Sequence, residues 1–78
     1  MSDDSDGRAL ERARKRSGMS LDELWVAYFE LGGKADPVEL EAFVKGLMSP
    51  DPYQYNVIAH ALNERFMSLG QDHPVAYA

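Results

Sequence analysis

Cysteine is absent from this 78-residue chain, and so are long runs of apolar residues. Without cysteine the chain forms no disulfide and offers no thiolate ligand to a metal ion. No apolar run approaches the roughly 20 residues that cross a bilayer, and the acidic N-terminus lacks the apolar region of a secretory signal. We therefore expect a cytoplasmic protein whose stability comes from one small hydrophobic core.

Basic residues are scarce and unevenly distributed. Residues 1–18 contain five basic residues against four acidic ones, whereas residues 19–78 contain three basic residues against nine acidic ones. The main body of the chain is therefore strongly acidic, and most of the arginine lies in the N-terminal segment. This asymmetry says more about possible partners than the total charge of −5 does.

Three four-residue motifs mark helix starts: Ser20-Leu-Asp-Glu23, Asp36-Pro-Val-Glu39 and Asp51-Pro-Tyr-Gln54. In each motif a side-chain acceptor at the N-cap precedes a Glu or Gln by three residues, so that the N–H groups of the first turn can be satisfied. We predict an all-α fold, a small bundle of three principal helices with a short N-terminal helix that is marginal alone. The principal helices span about residues 20–31, 36–48 and 52–69, and the N-terminal helix about residues 8–16.

The same features divide the chain into three parts. We predict that residues 1–18 are a largely flexible leader with a basic helical segment, that residues 19–70 form the helical domain, and that residues 71–78 form an extended tail. The basic segment becomes ordered only if Leu10 and Ala13 dock on the rest of the fold, because helix nucleation is costly in so short a stretch.

The second predicted helix has more apolar surface than one face can use. Its five consecutive apolar residues from Trp25 to Phe29 cover every direction around the helix axis at about 100° per residue. Such a helix is either central in the fold or contributes a face to a partner. Trp25, Tyr28 and Phe29 are therefore the candidate protein-interaction residues, since aromatic residues are enriched at binding hot spots.

No motif indicates catalysis or metal binding. His60 and Glu64 share a helix face at i, i+4, but a metal site needs three or four ligands, and the other histidine, His73, lies beyond Gly70. The paired carboxylates belong to a helix start or to an exposed side of a helix, where they do not make an acid–base pair. We predict no enzymatic activity, no cofactor and no metal.

Residues 10–24 combine a basic segment, a turn at Gly18, and the pattern Ser-x-x-Glu-Leu from Ser20. This stretch resembles the opening of the lambda-repressor-like helix-turn-helix family (the Cro and XRE type). The resemblance implies a domain of four or five helices in which residues 36–47 enter the DNA major groove. The chain from Met19 onward also resembles short actinobacterial proteins of uncharacterised role.

The chain departs from that family where DNA is read. Trp25 stands where the family has a small residue, and the turn glycine comes at Gly32, about one helical turn late. Residues 36–47 carry three acidic residues against Lys45 alone, whereas binding to DNA requires the neutralisation of phosphates. These departures favour a function other than DNA reading.

We predict a non-enzymatic helical interaction module, a regulatory protein that acts through a partner protein or through self-association, with no membrane contact. The alternative is a helix-turn-helix-like DNA-binding transcriptional regulator. In that alternative the phosphate contacts come from the basic N-terminal segment: Arg8, Arg12, Arg14, Lys15 and Arg16. A third interpretation is an acidic body that mimics DNA or docks on a basic partner through Glu39 and Glu41.

Overall fold

A computed structural model describes residues 7–72 and 74–78, and this part of the chain forms four helices. They are α1 (Gly7–Ser17), α2 (Leu21–Glu30), α3 (Pro37–Lys45) and α4 (Pro52–Ser68). The predicted all-α fold is confirmed for the described residues. The predictions that concern residues 1–6 and His73 lie outside them.

The three predicted N-caps form as expected. The side chains of Ser20, Asp36 and Asp51 each accept the backbone N–H three residues later, at 3.1, 2.8 and 2.8 Å. At the start of α2 the Glu23 carboxylate also accepts the Ser20 N–H at 2.9 Å, which completes a capping box. Local hydrogen bonds between near neighbours therefore determine where α2, α3 and α4 begin.

Helix α3 ends three residues earlier than the sequence suggested. Gly46 takes a left-handed conformation with φ +81°, and the N–H groups of Gly46 and Leu47 bond to the Phe43 and Ala42 carbonyls at 3.3 and 2.9 Å. The prediction that α3 continues to residue 48 was therefore wrong. Leu47, expected in the apolar stripe of α3, lies beyond the helix and is 78% exposed.

Helix α1 is part of the core. It packs against α3 and α4, and its two main apolar side chains, Leu10 and Ala13, are buried. Arg65 of α4 donates from Nε to the Ser17 carbonyl at 3.1 Å, which ties the end of α1 to α4. The described part of the predicted flexible leader is thus a docked helix, because Leu10 and Ala13 find apolar partners across the bundle.

All four helices and the loop after α2 contribute to a single hydrophobic core. Helix α4 is the longest and supplies a continuous stripe that includes Val57, Ile58, Leu62 and Phe66. Helix α2 packs against α3 and α4, as α1 does. Beyond α4, residues 74–78 have no regular secondary structure, and Val75 packs partly against the core.

Candidate protein-binding surface on helix α2

Only part of the apolar surface of α2 enters the core. Leu24 and Tyr28, one turn apart, are fully buried where α2 packs against α3 and α4. Phe29 and Val26 point elsewhere and are 58% and 50% exposed. Helical geometry requires this outcome, because successive residues are about 100° apart around the axis, so five consecutive residues do not all share one narrow face. The excess of apolar residues is therefore displayed on the surface.

Trp25 connects the exposed residues to the core. Its indole is partly buried against the core and stacks on the Phe29 ring, with ring centroids 5.1 Å apart and an angle of 20° between the planes. Its Nε1 donates a hydrogen bond to the Ala35 carbonyl at 3.0 Å. We call Trp25, Val26 and Phe29 the α2 surface. Its tryptophan is held in one orientation by a stack and a hydrogen bond.

Tyr28 lies inside the fold and is not accessible to a partner. Its hydroxyl donates to Gln54 Oε1 of α4 and accepts the backbone N–H groups of Ala35 and Lys34 at 2.8 and 3.1 Å. Its ring lies against Gly33, where an added Cβ would overlap the ring atoms. Of the three aromatic candidates, Trp25 and Phe29 are together on the surface, and Tyr28 positions the loop that holds Trp25.

Val26 and the loop that supports the surface are not among the residues predicted from the sequence. Val26 is separated from Phe29 by three positions, which places the two on one side of a helix, so the periodicity alone could have identified it. The role of Ala35 depends on its backbone carbonyl and has no signal in the sequence. Tyr53 of α4 lies at the C-terminal end of α2, where its hydroxyl donates to the Gly32 carbonyl at 2.7 Å.

Arg14, one of the five predicted phosphate-contact residues, is used inside the protein. Its guanidinium binds both carboxylate oxygens of Glu11, at 2.8 and 2.9 Å, and donates to the Met19 carbonyl at 2.8 Å. The hydrogen bond from Arg14 lowers the pKa of Glu11 from its ordinary value, and the same bond raises the pKa of Arg14. This partly buried pair therefore supports the α1–α2 turn.

The other predicted phosphate-contact residues are Arg8, Arg12, Lys15 and Arg16, and all four are exposed on α1. The guanidinium of Arg16 lies over the Phe66 ring, 5.5 Å from its centroid. A cation–π contact of this kind contributes to packing. The structure thus gives α1 a positive outer side with one of its five cations turned inward.

Helix α3, the segment that the family resemblance would place in the DNA groove, presents acidic groups. Glu39 is exposed, and Lys45, the only basic residue of the helix, pairs with Glu41 at 3.0 Å. A duplex approaching this helix would meet uncompensated carboxylate charge. The arrangement is suited to contact with neutral or basic groups.

His60 and Glu64 form an exposed pair on α4 with an N–O distance of 3.2 Å. Across residues 7–72 and 74–78, no three His, Cys, Asp or Glu side chains are grouped as metal ligands would be. None of the helices in this same part of the chain has the length and apolar character needed to span a membrane.

Comparison with known proteins returned no match to any family model, curated protein or solved structure.

Proposed function

We propose that this chain is a non-enzymatic helical module that binds another protein through the α2 surface. The observation that carries the proposal is the exposure of Phe29 and Val26 beside a tryptophan held by the Ala35 carbonyl. Aromatic side chains supply much of the binding free energy at protein interfaces. A ring already held in one orientation also loses less conformational entropy when a partner covers it.

The charges around this surface favour a different protein over a second copy of the chain. Asp22 and Glu30 are exposed and lie four residues before and after Val26, so both carboxylates flank it along the helix. Two α2 surfaces packed together would bring four like charges into a region of reduced dielectric constant. A partner with a basic rim would instead form charge pairs with them, which gives both specificity and faster association.

The proposal is tested by comparing two apolar-to-polar variants. We expect the full chain, purified through an affinity tag from its native host, to carry a stoichiometric protein partner. Phe29→Ser lowers recovery of that partner about tenfold or more, because an interface anchor contributes roughly 2 kcal/mol. Leu47→Ser makes a comparable change at another exposed position and leaves recovery unchanged.

Sedimentation velocity over a range of concentrations distinguishes the second-copy alternative. Association with a second copy raises the sedimentation coefficient with concentration, and Phe29→Ser removes the increase. A strict monomer that recovers no partner contradicts the proposal, as does an equal loss in Phe29→Ser and Leu47→Ser.

DNA binding through α1 has weaker support. Arg8, Lys15 and Arg16 are exposed, but Arg14 is engaged by Glu11, and the acidic side of α3 would repel phosphates. Contacts made by α1 alone would bind any duplex, with a steep dependence on salt and little preference for sequence. We expect no sequence-specific retardation of duplex DNA at physiological salt concentration.

A further inference from the structure

The tail, residues 74–78, is held by the side chain of a buried asparagine. Asn63 of α4 is 1% exposed; its Nδ2 donates to the Val75 carbonyl at 2.9 Å, and its Oδ1 accepts the Val75 N–H at 3.0 Å. One amide thus satisfies both backbone groups of a single residue. These hydrogen bonds recognise the backbone of an extended segment and do not depend on its side chain. The surface around Asn63 selects which side chain fits.

A groove of about 520 Å³ lies beside the tail. Its apolar walls are formed by Ala9 and Ala13 of α1 and by Tyr55 of α4, and the tail closes one side. The basic side chains in its lining come from α1: Arg12, Lys15 and Arg16. The groove contains no residue of α2, so it is separate from the α2 surface and does not depend on the function proposed for it.

The tail does not complement the charge of this groove. Residues 74–78 have no charged side chain, whereas Lys15 and Arg16 face the groove from exposed positions. Arg16 stays exposed although its guanidinium lies over the Phe66 ring, and guanidinium N–H groups bind carboxylates in a planar, two-pronged geometry. A segment with carboxylates beside its docked residue would gain charge-assisted hydrogen bonds that the side chains of residues 74–78 do not make.

We propose that this groove binds an extended acidic peptide segment of a partner protein, and that the segment replaces the tail on Asn63. An apolar residue of the segment takes the place of Val75, and its neighbouring carboxylates contact Lys15 and Arg16. The tail is then an intramolecular competitor. Its covalent attachment gives it a high effective concentration, so it lowers the apparent affinity of the segment without abolishing binding.

Three synthetic peptides test the proposal on the full chain. Each has the core Pro-Val-Ala-Tyr, flanked by two glutamates, two serines or two lysines on each side. Fluorescence anisotropy gives the affinity, and the ¹⁵N resonances of the Val75 backbone and the Asn63 side chain report which segment occupies the site. We expect the glutamate peptide to bind most tightly and to release the Val75 amide, while the Asn63 amide stays hydrogen-bonded.

Two variants and a matched control locate the site. Val75→Gly weakens the tail and tightens binding of the glutamate peptide about tenfold, because the tail loses its apolar contact without gaining a carboxylate that would contact Lys15 or Arg16. Lys15→Glu weakens that binding about fivefold and improves binding of the lysine peptide. Lys34→Glu makes the same charge change outside the groove and alters neither affinity.

Two results would overturn the proposal. One is the absence of binding to any of the three peptides at millimolar concentration, in both the wild-type chain and Val75→Gly. The other is binding that leaves the Val75 resonance in place, or that Lys15→Glu and Lys34→Glu weaken equally, since either result means diffuse attraction to the positive side of α1.

Discussion

Tyr28 is the residue through which the core supports the exposed surface. Its hydroxyl receives the Ala35 N–H at 2.8 Å, and the carbonyl of that same residue receives the indole N–H of Trp25 at 3.0 Å. The buried tyrosine, the loop and the partly exposed tryptophan therefore form a continuous chain of hydrogen bonds. A change at Tyr28 should alter the α2 surface although the tyrosine itself touches no partner.

Tyr28→Phe is expected to lower the free energy of unfolding by about 1–3 kcal/mol, because the Ala35 N–H and the Gln54 side chain lose a buried partner. The emission of Trp25, the only tryptophan, should also shift to longer wavelength as its loop loosens. Tyr53→Phe is the matched control, since it removes a hydrogen bond at the surface. Urea denaturation followed by fluorescence measures both effects, and equal costs for the two variants would contradict the role of Tyr28.

Glu11→Gln is expected to lower the free energy of unfolding by about 1 kcal/mol at pH 7 through loss of the two-pronged pair with Arg14. Because Arg14 lowers the pKa of Glu11 in the folded state, this contribution is complete above the ordinary glutamate pKa of about 4.3. It disappears as the pH falls through the lowered pKa of the folded state.

The difference between wild type and Glu11→Gln should therefore shrink steadily below the ordinary glutamate pKa. Denaturation over a series of acidic pH values measures it. Glu41→Gln, which breaks a much more exposed pair with Lys45, should have a smaller effect throughout. A stability difference at Glu11 that does not depend on pH would show that the carboxylate charge contributes nothing.

At the level of helices, the chain signals its helix starts better than its helix ends. The N-caps at Ser20, Asp36 and Asp51 were predictable because each rests on a hydrogen bond within three residues of sequence. The end of α3 depended on Gly46 adopting a left-handed conformation, which competed with an apolar pattern that continued to Leu47. A capping hydrogen bond between near neighbours can be predicted from a sequence. The sequence does not show which of two competing signals, a glycine stop or a continuing apolar pattern, ends a helix.

The packing of the helices was less predictable, because it depends on residues far apart in the chain. Leu10 and Ala13 are too few to indicate a stable helix, and only their burial with α3 and α4 accounts for the docking of α1. The α2 surface was only partly predictable from the sequence for the same reason. Five apolar residues indicated an excess, but the position of α4 decides that Tyr28 faces inward and Phe29 outward.

Leu10→Ala is expected to lower the free energy of unfolding by about 2–5 kcal/mol, because it leaves a cavity where α1 meets the core. Leu47→Ala removes the same atoms from an exposed position and should cost less than about 0.5 kcal/mol. Chemical denaturation of the two variants gives the comparison. Equal and small costs would mean that α1 does not contribute to the folded core.

At the level of the whole molecule, charge and apolar exposure divide the surface into distinct regions. Helix α1 presents Lys15 and Arg16, and α3 presents exposed carboxylates. The α2 surface shows its aromatic pair between Asp22 and Glu30. These regions lie on different helices of one small core, so the chain can present different chemistry to different partners. An interaction module with more than one partner requires that separation.

Site-specific photo-crosslinking in the native host tests most directly whether the α2 surface binds another protein. A benzoylphenylalanine introduced at position 29 reports contact on the α2 surface, and the same residue at position 47 reports contact at a similarly exposed apolar position elsewhere. We predict one discrete protein adduct from position 29 and none from position 47. The absence of an adduct at position 29, or the same adducts from both positions, would contradict the assignment of the α2 surface as a protein-binding site.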